Sequence, residues 1–163
     1  INRGERRAEL HIYSQDRIPD RIRRKITIEG TSSFFGAIAA SEVKRKLQES
    51  DIVLHVESFS LKRKLLTRLS FSTKIVDLFN SARCIFAVGW KEAASIRYLV
   101  NNDAAIVATS EKVIKTKLHE LLDNPSTILE YGRKAWDCGQ RNHKDSEIKA
   151  QFYEDLISLK SKF

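Results

Sequence analysis

The sequence predicts an α/β fold, a Rossmann-like open parallel sheet with helices on both faces. Short apolar runs without an internal period, at residues 52–56 and 84–88, are typical of strands buried on both sides. Stretches with apolar residues at helical spacing lie between and after these runs, as in residues 111–122. Strands that alternate with helices in this way imply right-handed crossovers and therefore a parallel sheet.

The predicted elements follow this alternation along the chain. Strands are expected at Leu10–Tyr13, Ile26–Ile28, Ile52–Val56, Cys84–Val88 and Ala104–Ala108. Helices are expected over residues 42–49, 74–79, 93–99, 111–122, 126–138 and 146–160, and residues 20–24 form either a short basic helix or a loop. Phe34 to Gly36 supply an aromatic pair and a turn glycine that close the first region. The sequence leaves open which of the first two strands enters the sheet.

Residue types at the helix ends refine these predictions. Ser41 and Ser110 are suitable N-caps, and Pro125 suits the first position of a helix. The last helix is expected to line one side with apolar residues: Ile148, Phe152, Leu156 and Leu159.

Length and composition indicate one globular domain. The 163 residues are 42% hydrophobic and 31% charged, and we expect a lead-in or linker at 1–8 and a single domain at 9–163. The chain begins at Ile1 and contains no methionine, which predicts a processed chain or an excised domain. Cys84 and Cys138 are expected to be buried in the core as free thiols, which indicates a protein of a reducing compartment. Neither the cysteines nor the histidines have the spacing of metal ligands.

A formal charge of +8 favours an anionic partner: nucleic acid, an acidic membrane surface or a phosphorylated small molecule. Solvated basic faces are an equally good explanation. A nucleic-acid module needs exposed aromatic residues among its cations, whereas the phenylalanines here lie in apolar context and are expected in the core (Phe34, Phe35, Phe71, Phe79 and Phe86). No apolar run approaches the ~20 residues of a membrane span and no signal-peptide region is present, so we expect a cytoplasmic location.

Candidate ligand-binding residues lie between the two central strands. Glu57 comes directly after the first strand, and Ser72 and Thr73 stand at the start of the next helix, with Lys74 adding charge. Asp77, one turn into that helix, has a carboxylate suited to the two hydroxyls of a ribose. The alternative is a plain helix cap with solvated charges. Neither a dinucleotide-binding glycine motif nor a P-loop is present, which argues against dehydrogenases and P-loop NTPases.

Three stretches, DIVLHVESFS, LSFSTKIVDLFNSARCIFAVG and EAASIRYL, resemble the C-terminal half of retaining glycosyltransferases of the GT-B fold, the group 1 type. The resemblance begins near Leu10 and covers nearly the whole chain. It implies a domain that binds a nucleoside-diphosphate sugar as substrate, with no cofactor and no metal. It also implies a separate N-terminal domain that binds the acceptor, without which this chain is expected to be inactive.

The resemblance also implies roles for individual residues. Glu57 corresponds to the acidic residue that orients the sugar or supports its developing charge, in Glu57-Ser58-Phe59-Ser60, where relatives often have Glu-Gly-Phe-Gly. Asp77 corresponds to the ribose-binding residue, and Ser72, Thr73 and Lys74 to the segment that receives the diphosphate. Gly36 and Ile38 fall where relatives place a turn near the nucleobase.

Several positions depart from the family pattern. Asp77 is shorter than the usual Glu, and Ser14, Ser60 and Ala82 stand where glycine is frequent. The Arg and Lys that many relatives use on the diphosphate have no clear counterpart, and either Lys62 or Lys64 is a possible substitute.

The resulting functional expectation is sugar transfer to an acceptor hydroxyl in the synthesis of surface polysaccharide or glycolipid. The positive charge fits an enzyme that is peripheral at the anionic inner face of a membrane. The alternative expectation is a basic nucleic-acid-binding domain, or a non-catalytic interaction domain, of the same fold.

Overall fold

A computed structural model describes residues 7–60, 64 and 68–160, apart from the side chains of residues 145, 159 and 160. Its strands are β1 (Leu10–Tyr13), β2 (Ser32–Gly36), β3 (Ile52–Val56), β4 (Cys84–Val88) and β5 (Ile106–Ala108). Its helices are α1 (Asp20–Ile26), α2 (Ala40–Glu49), α3 (Lys74–Asn80), α4 (Ala94–Asn101), α5 (Glu111–Asp123), α6 (Pro125–Asn142) and α7 (Asp145–Lys160).

The strands form two small parallel sheets flanked by helices, which confirms the predicted α/β class. The larger sheet has the order β3-β4-β5, with Ile52 opposite Cys84 and Phe86 opposite Ile106. The smaller sheet pairs β1 with β2. Among the described residues no strand pairing joins the two sheets, so both of the first two strands lie outside the three-stranded sheet.

Strand β4 is buried on both faces, as its apolar run predicts. Ile85 and Ala87 belong to a cluster formed with α3 and α4, whereas Cys84 and Phe86 belong to a second cluster with α5. Because successive side chains of a strand point to opposite faces, the two clusters lie on opposite sides of the sheet. Burial also raises the pKa of the Cys84 thiol to about 12.

Burial of β3 on both faces was expected and is wrong. Val53 is buried, but Leu54 is 42% and Val56 65% exposed. The reason is that β3 is an edge strand of the described sheet, and the cluster under α5 draws its buried members from β4 and β5.

Helix α6 lies close against α3 and β4 because glycines face them. A Cβ at Gly139 would lie 2.7 Å from Cβ of Phe79, and one at Gly132 would lie 2.9 Å from the carbonyl oxygen of Ala82. Neither distance is one that packed carbon and oxygen atoms tolerate, so these two positions set how closely the helix can approach.

Three local predictions in the N-terminal half are corrected. Ile26 ends α1 rather than starting a strand, and Ile28 forms only an antiparallel bridge to Ser32, across a turn where Gly30 has a φ of +66°. The aromatic pair and Gly36 form β2 itself instead of a closing turn. Ser41 is not an N-cap, because α2 already begins at Ala40.

The expected burial of the phenylalanines and of the last helix is only partly correct. Phe79 and Phe86 are buried, but Phe35 is 53% and Phe71 37% exposed. Helix α7 forms where predicted, yet Ile148, Phe152 and Leu156 are exposed. The side chain of Leu159 lies outside the described part. None of the helices in the described ranges combines the length and the hydropathy needed to cross a bilayer.

The turn between α3 and β4 contains a strained residue. Ala82 has a φ of +55°, a left-handed conformation that favours glycine, and its side chain is exposed.

Gly139→Ala is expected to destabilise the protein by about 1–3 kcal/mol, because the new methyl group collides with buried Phe79. Urea unfolding would measure the change. Arg133→Ala, at an exposed position of the same helix, is the matched control and should change stability by less than about 0.5 kcal/mol. An increase in stability for Gly139→Ala would contradict the close helix approach.

Ala82→Gly is expected to stabilise the protein by about 0.5–1 kcal/mol, because glycine adopts the left-handed conformation without strain. The same substitution at exposed Ala37, whose φ is not positive, should be neutral or destabilising. Equal effects at the two positions in thermal unfolding would show that the turn is not strained.

Candidate ligand site at the carboxyl end of the central sheet

Glu57 is fixed in place immediately after β3. Its backbone N–H donates to the carbonyl oxygen of Val88 at 2.7 Å, which extends the pairing of β3 and β4 by one residue. Gly89 follows β4 at the same end, and a Cβ there would lie 2.8 Å from Cβ of Glu57. Glycine at position 89 therefore leaves room for the glutamate side chain, which is only 12% exposed.

Two enclosed side chains hold one oxygen of the Glu57 carboxylate. Ser95 Oγ donates to Glu57 Oε1 at 2.8 Å, and His55 Nε2 lies 3.0 Å from Ser95 Oγ and 3.4 Å from the same carboxylate oxygen. An ionised carboxylate only accepts, so the single hydroxyl proton of Ser95 points to Glu57. The Nε2–H of His55 then donates to Ser95 Oγ, which defines the histidine tautomer.

His55 is a neutral support for this carboxylate. Burial lowers the pKa of His55, and the negative charge of Glu57 offsets only part of that effect. Serine, histidine and glutamate meet here, but Ser95 is fully enclosed and gives its proton to the carboxylate. A hydrolase triad needs a reachable hydroxyl that gives its proton to the histidine, so this cluster is not one.

The second oxygen of Glu57 is not fully enclosed, although the side chain as a whole is mostly buried. Within the described ranges Oε2 has no hydrogen-bond partner, and it is not among the enclosed polar atoms that lack one. One oxygen is thus held by the protein while the other is available to a ligand. No group of three His, Cys, Asp or Glu side chains in the same ranges is arranged to hold a metal ion.

The start of α3 carries the other predicted residues. Thr73 is the N-cap but its side chain makes no capping bond, so the plain-cap alternative does not apply to it. Thr73, Lys74 and Asp77 are exposed, Ser72 is half-buried, and among described residues none of these side chains has a hydrogen bond or an ion pair. The amide of Ile75 already donates to the Ser72 carbonyl, so any backbone donors for a ligand precede it.

An aromatic cluster anchors the segment that leads into this helix at Phe71. The ring of Phe71 meets Tyr98 edge-on at 5.2 Å and stacks on His143 at 6.1 Å. The Tyr98 hydroxyl lies 2.9 Å from His143 Nε2, which joins α4 to the end of α6. Burial lowers the pKa of His143. These contacts anchor the entrance to α3 on two other helices.

The remaining predicted residues lie at the end of β2 and in the loop that follows Glu57. Gly36 ends β2 with a φ of +77°, and its carbonyl accepts from the Ser14 amide at 2.9 Å, with Ile38 just beyond. Ser58 Oγ accepts from the Ser60 amide at 3.2 Å, which shapes the loop after Glu57, and Phe59 is 42% exposed. The described contacts do not join these residues, or Asp77, to the Glu57 carboxylate. Lys62 lies outside the described part of the chain.

Sequence reasoning missed the support of the carboxylate. His55 and Glu57 are two positions apart and therefore share a strand face, a signal that could have paired them. Ser95 is 38 residues beyond Glu57, and no local pattern marks it. Comparison of the sequence with models of known families gives no match, and neither does comparison with curated proteins.

The lowered pKa of His55 gives a pH dependence of stability. An unfolded histidine takes up a proton near pH 6.5 whereas the folded one does so only at lower pH, so stability is lost as pH falls below about 6.5. Urea unfolding between about pH 5 and 7.5 should show this loss, and His55→Gln should make it shallower. His143 contributes in the same direction and keeps some dependence in the variant.

His119→Gln, at an exposed position of α5, is the control and should leave the parent dependence unchanged. An unaltered slope in His55→Gln would show that His55 is not held neutral by burial.

Proposed function

We propose that this chain is the donor-binding domain of a glycosyltransferase, which transfers a sugar from a nucleoside diphosphate to an acceptor hydroxyl. The observation that carries the proposal is the Glu57 carboxylate, with one oxygen fixed by Ser95 and the other neither fully enclosed nor hydrogen-bonded among the described residues. It lies at the carboxyl end of a parallel sheet, where ligands of open α/β folds collect.

The polar residues at the start of α3 support the same assignment. Two hydroxyls and an ammonium group, from Ser72, Thr73 and Lys74, have no partners among the described residues. A diphosphate uses such donors. Asp77 is exposed and equally unpartnered, as a ribose-binding carboxylate must be before its ligand arrives.

The mechanism that fits these groups is electrostatic. Breaking the bond between sugar and diphosphate places positive charge on the sugar and negative charge on the leaving group. Because His55 is neutral, the negative charge of Glu57 is not cancelled by its supporting side chains and can orient or stabilise the sugar. The donors near α3 stabilise the departing nucleoside diphosphate.

The family resemblance supplies the remaining parts of the proposal. The left-handed conformation of Ala82 fits a turn where relatives frequently have glycine. A separate N-terminal domain would bind the acceptor, and we expect transfer to require it. The charge of +8 fits a cytoplasmic enzyme peripheral at an anionic membrane face that makes surface polysaccharide or glycolipid.

Nucleic-acid binding is the second candidate, because the smaller sheet exposes aromatic rings. Phe35 is 53% exposed and stacks on Tyr13 at 5.2 Å. Basic α1 lies on the other face, where the Arg23 guanidinium is 5.8 Å from the ring centroid of Phe34. Since Arg23 and the exposed Phe35 ring lie on opposite faces, this pair does not form the combination of cation and ring that is usual for binding single strands.

Asp77→Asn is expected to weaken binding of UDP, ADP or GDP about 10-fold, because a neutral amide accepts ribose hydroxyls less well than a carboxylate. Isothermal titration calorimetry would measure the affinities, with inorganic pyrophosphate as the ligand that lacks a ribose and should be unaffected. The matched control is Asp51→Asn, an exposed carboxylate at the opposite end of β3.

Tight oligonucleotide binding that falls steeply with salt, together with no binding of any nucleoside diphosphate, would refute the proposal in favour of the second candidate. Equal losses for Asp51→Asn and Asp77→Asn would remove Asp77 from the site.

A further inference from the structure

Lys64 lies over the ring of Trp90, close to the candidate site. Its Nζ is 5.5 Å from the ring centroid, and its backbone amide donates to the Ser60 carbonyl at 2.9 Å, three residues after Glu57. Trp90 directly follows Gly89, where an added Cβ would lie 2.8 Å from Cβ of Glu57. The ammonium group is therefore held at the same end of the sheet as the open carboxylate.

Trp90 also carries an unused donor. Its indole Nε1 is enclosed and has no hydrogen-bond partner among the described residues. Buried donors in folded proteins are nearly always satisfied, so an unsatisfied one is a candidate to receive an acceptor from a ligand or a water. The other half of the pair is similarly uncommitted, because Lys64 has no carboxylate partner in the described ranges.

We propose that Lys64 is a second cation that binds the diphosphate of the nucleotide ligand, in addition to Lys74, and that the Trp90 ring holds Lys64 in position. In the free protein the indole ring holds the ammonium group. With ligand bound, the ammonium group binds a phosphate oxygen, and movement of the side chains that enclose Nε1 lets the indole N–H donate to a second one. The inference rests on the proposed function and adds the phosphate-binding residues that the sequence pattern left unassigned.

The energetics favour such a transfer of partners. A cation over an aromatic ring is held weakly, whereas an ammonium–phosphate contact is a charge-assisted hydrogen bond and is stronger. The Glu57 carboxylate at the same end repels a diphosphate, so binding there needs an uncommitted positive charge nearby. Lys91 is less suitable, because its side chain is 83% exposed and its Nζ is 4.0 Å from Glu92 Oε1.

Trp90 provides a direct readout. The chain contains two tryptophans, so Trp136→Phe, at a partly exposed position of α6, leaves Trp90 as the only one. In this background we would titrate inorganic pyrophosphate, UDP, ADP, GDP and uridine and follow the fluorescence. Pyrophosphate and at least one nucleoside diphosphate are expected to change the emission. Uridine lacks the phosphates that contact Lys64 and Trp90, so it should leave the emission unchanged.

Lys64→Gln should weaken binding of pyrophosphate and of the nucleoside diphosphate about 10-fold, because one charge-assisted contact is lost. Lys91→Gln is the matched control in the loop that carries Trp90 and should bind as the parent does. Trp90→Phe keeps an aromatic ring but removes the N–H, and calorimetry should show a smaller loss. Thermal unfolding of each variant would verify that it folds.

The outcomes separate this inference from the proposed function. If Lys64→Gln binds the nucleoside diphosphate as tightly as the parent while Asp77→Asn binds it more weakly, Lys64 is overturned and the donor-binding function stands. If pyrophosphate binding depends on Lys64 but the nucleoside diphosphates bind no more tightly than pyrophosphate, the phosphate site stands and the nucleotide assignment falls. A parent protein that binds neither ligand overturns both. Full affinity in Trp90→Phe assigns a water to Nε1 and removes the indole from the proposal.

Discussion

Burial of β4 on both faces is the constraint on which the rest of this structure depends. The strand places Ile85 and Ala87 against α3 and α4, and Cys84 and Phe86 against α5. Helix α6 then has to fit over both α3 and β4, and glycine at position 139 allows the contact with Phe79. Where β4 ends, the chain can leave the core, and the candidate site lies at that point.

The site combines a carboxylate oxygen that the protein holds in place with polar groups that have no hydrogen-bond partner among the described residues. Enclosed His55 and Ser95 fix one carboxylate oxygen of Glu57 without neutralising its charge. The other oxygen, the side chains at the start of α3 and the indole N–H of Trp90 have no protein partners among the described residues. Preorganised groups with unused bonding capacity are what electrostatic binding of a polar ligand needs.

The sequence was sufficient for elements whose apolar side chains pack into the core. The run at β4 predicts a strand because its residues belong to the two core clusters, and the spacing in α5 predicts a helix because Val113, Ile114, Leu118 and Leu121 pack in one of them. Prediction failed where burial is partial. The apolar residues Ile26 and Ile28 read as a strand, but the turn at Gly30 moves the strand to Ser32–Gly36. The apolar residues of α7 predict a helix correctly without determining what covers it.

For the candidate site, the order of elements along the chain predicts where single residues lie but not which distant residues contact them. The position of Glu57 follows from the end of a strand, and its contact with Ser95 joins residues 38 apart. The stacking of Phe71 on His143 and of Lys64 on Trp90 likewise depends on packing between helices and loops that no periodicity reports. Chemistry-bearing residues can be located from sequence, whereas the partners that set their charge and freedom require the fold.

The alternation of β3 explains why this glutamate, and not a neighbour, is available to a ligand. Val53 and His55 point into the core, while Leu54 and Val56 point outward and are exposed. Glu57 continues the inward series, which brings its carboxylate to Ser95 on α4. A shift of one residue in the register would place Val56 against α4 and leave the carboxylate in solvent without support. The pairing of Ile52 with Cys84 at the other end of the strand therefore decides which side chain occupies the site.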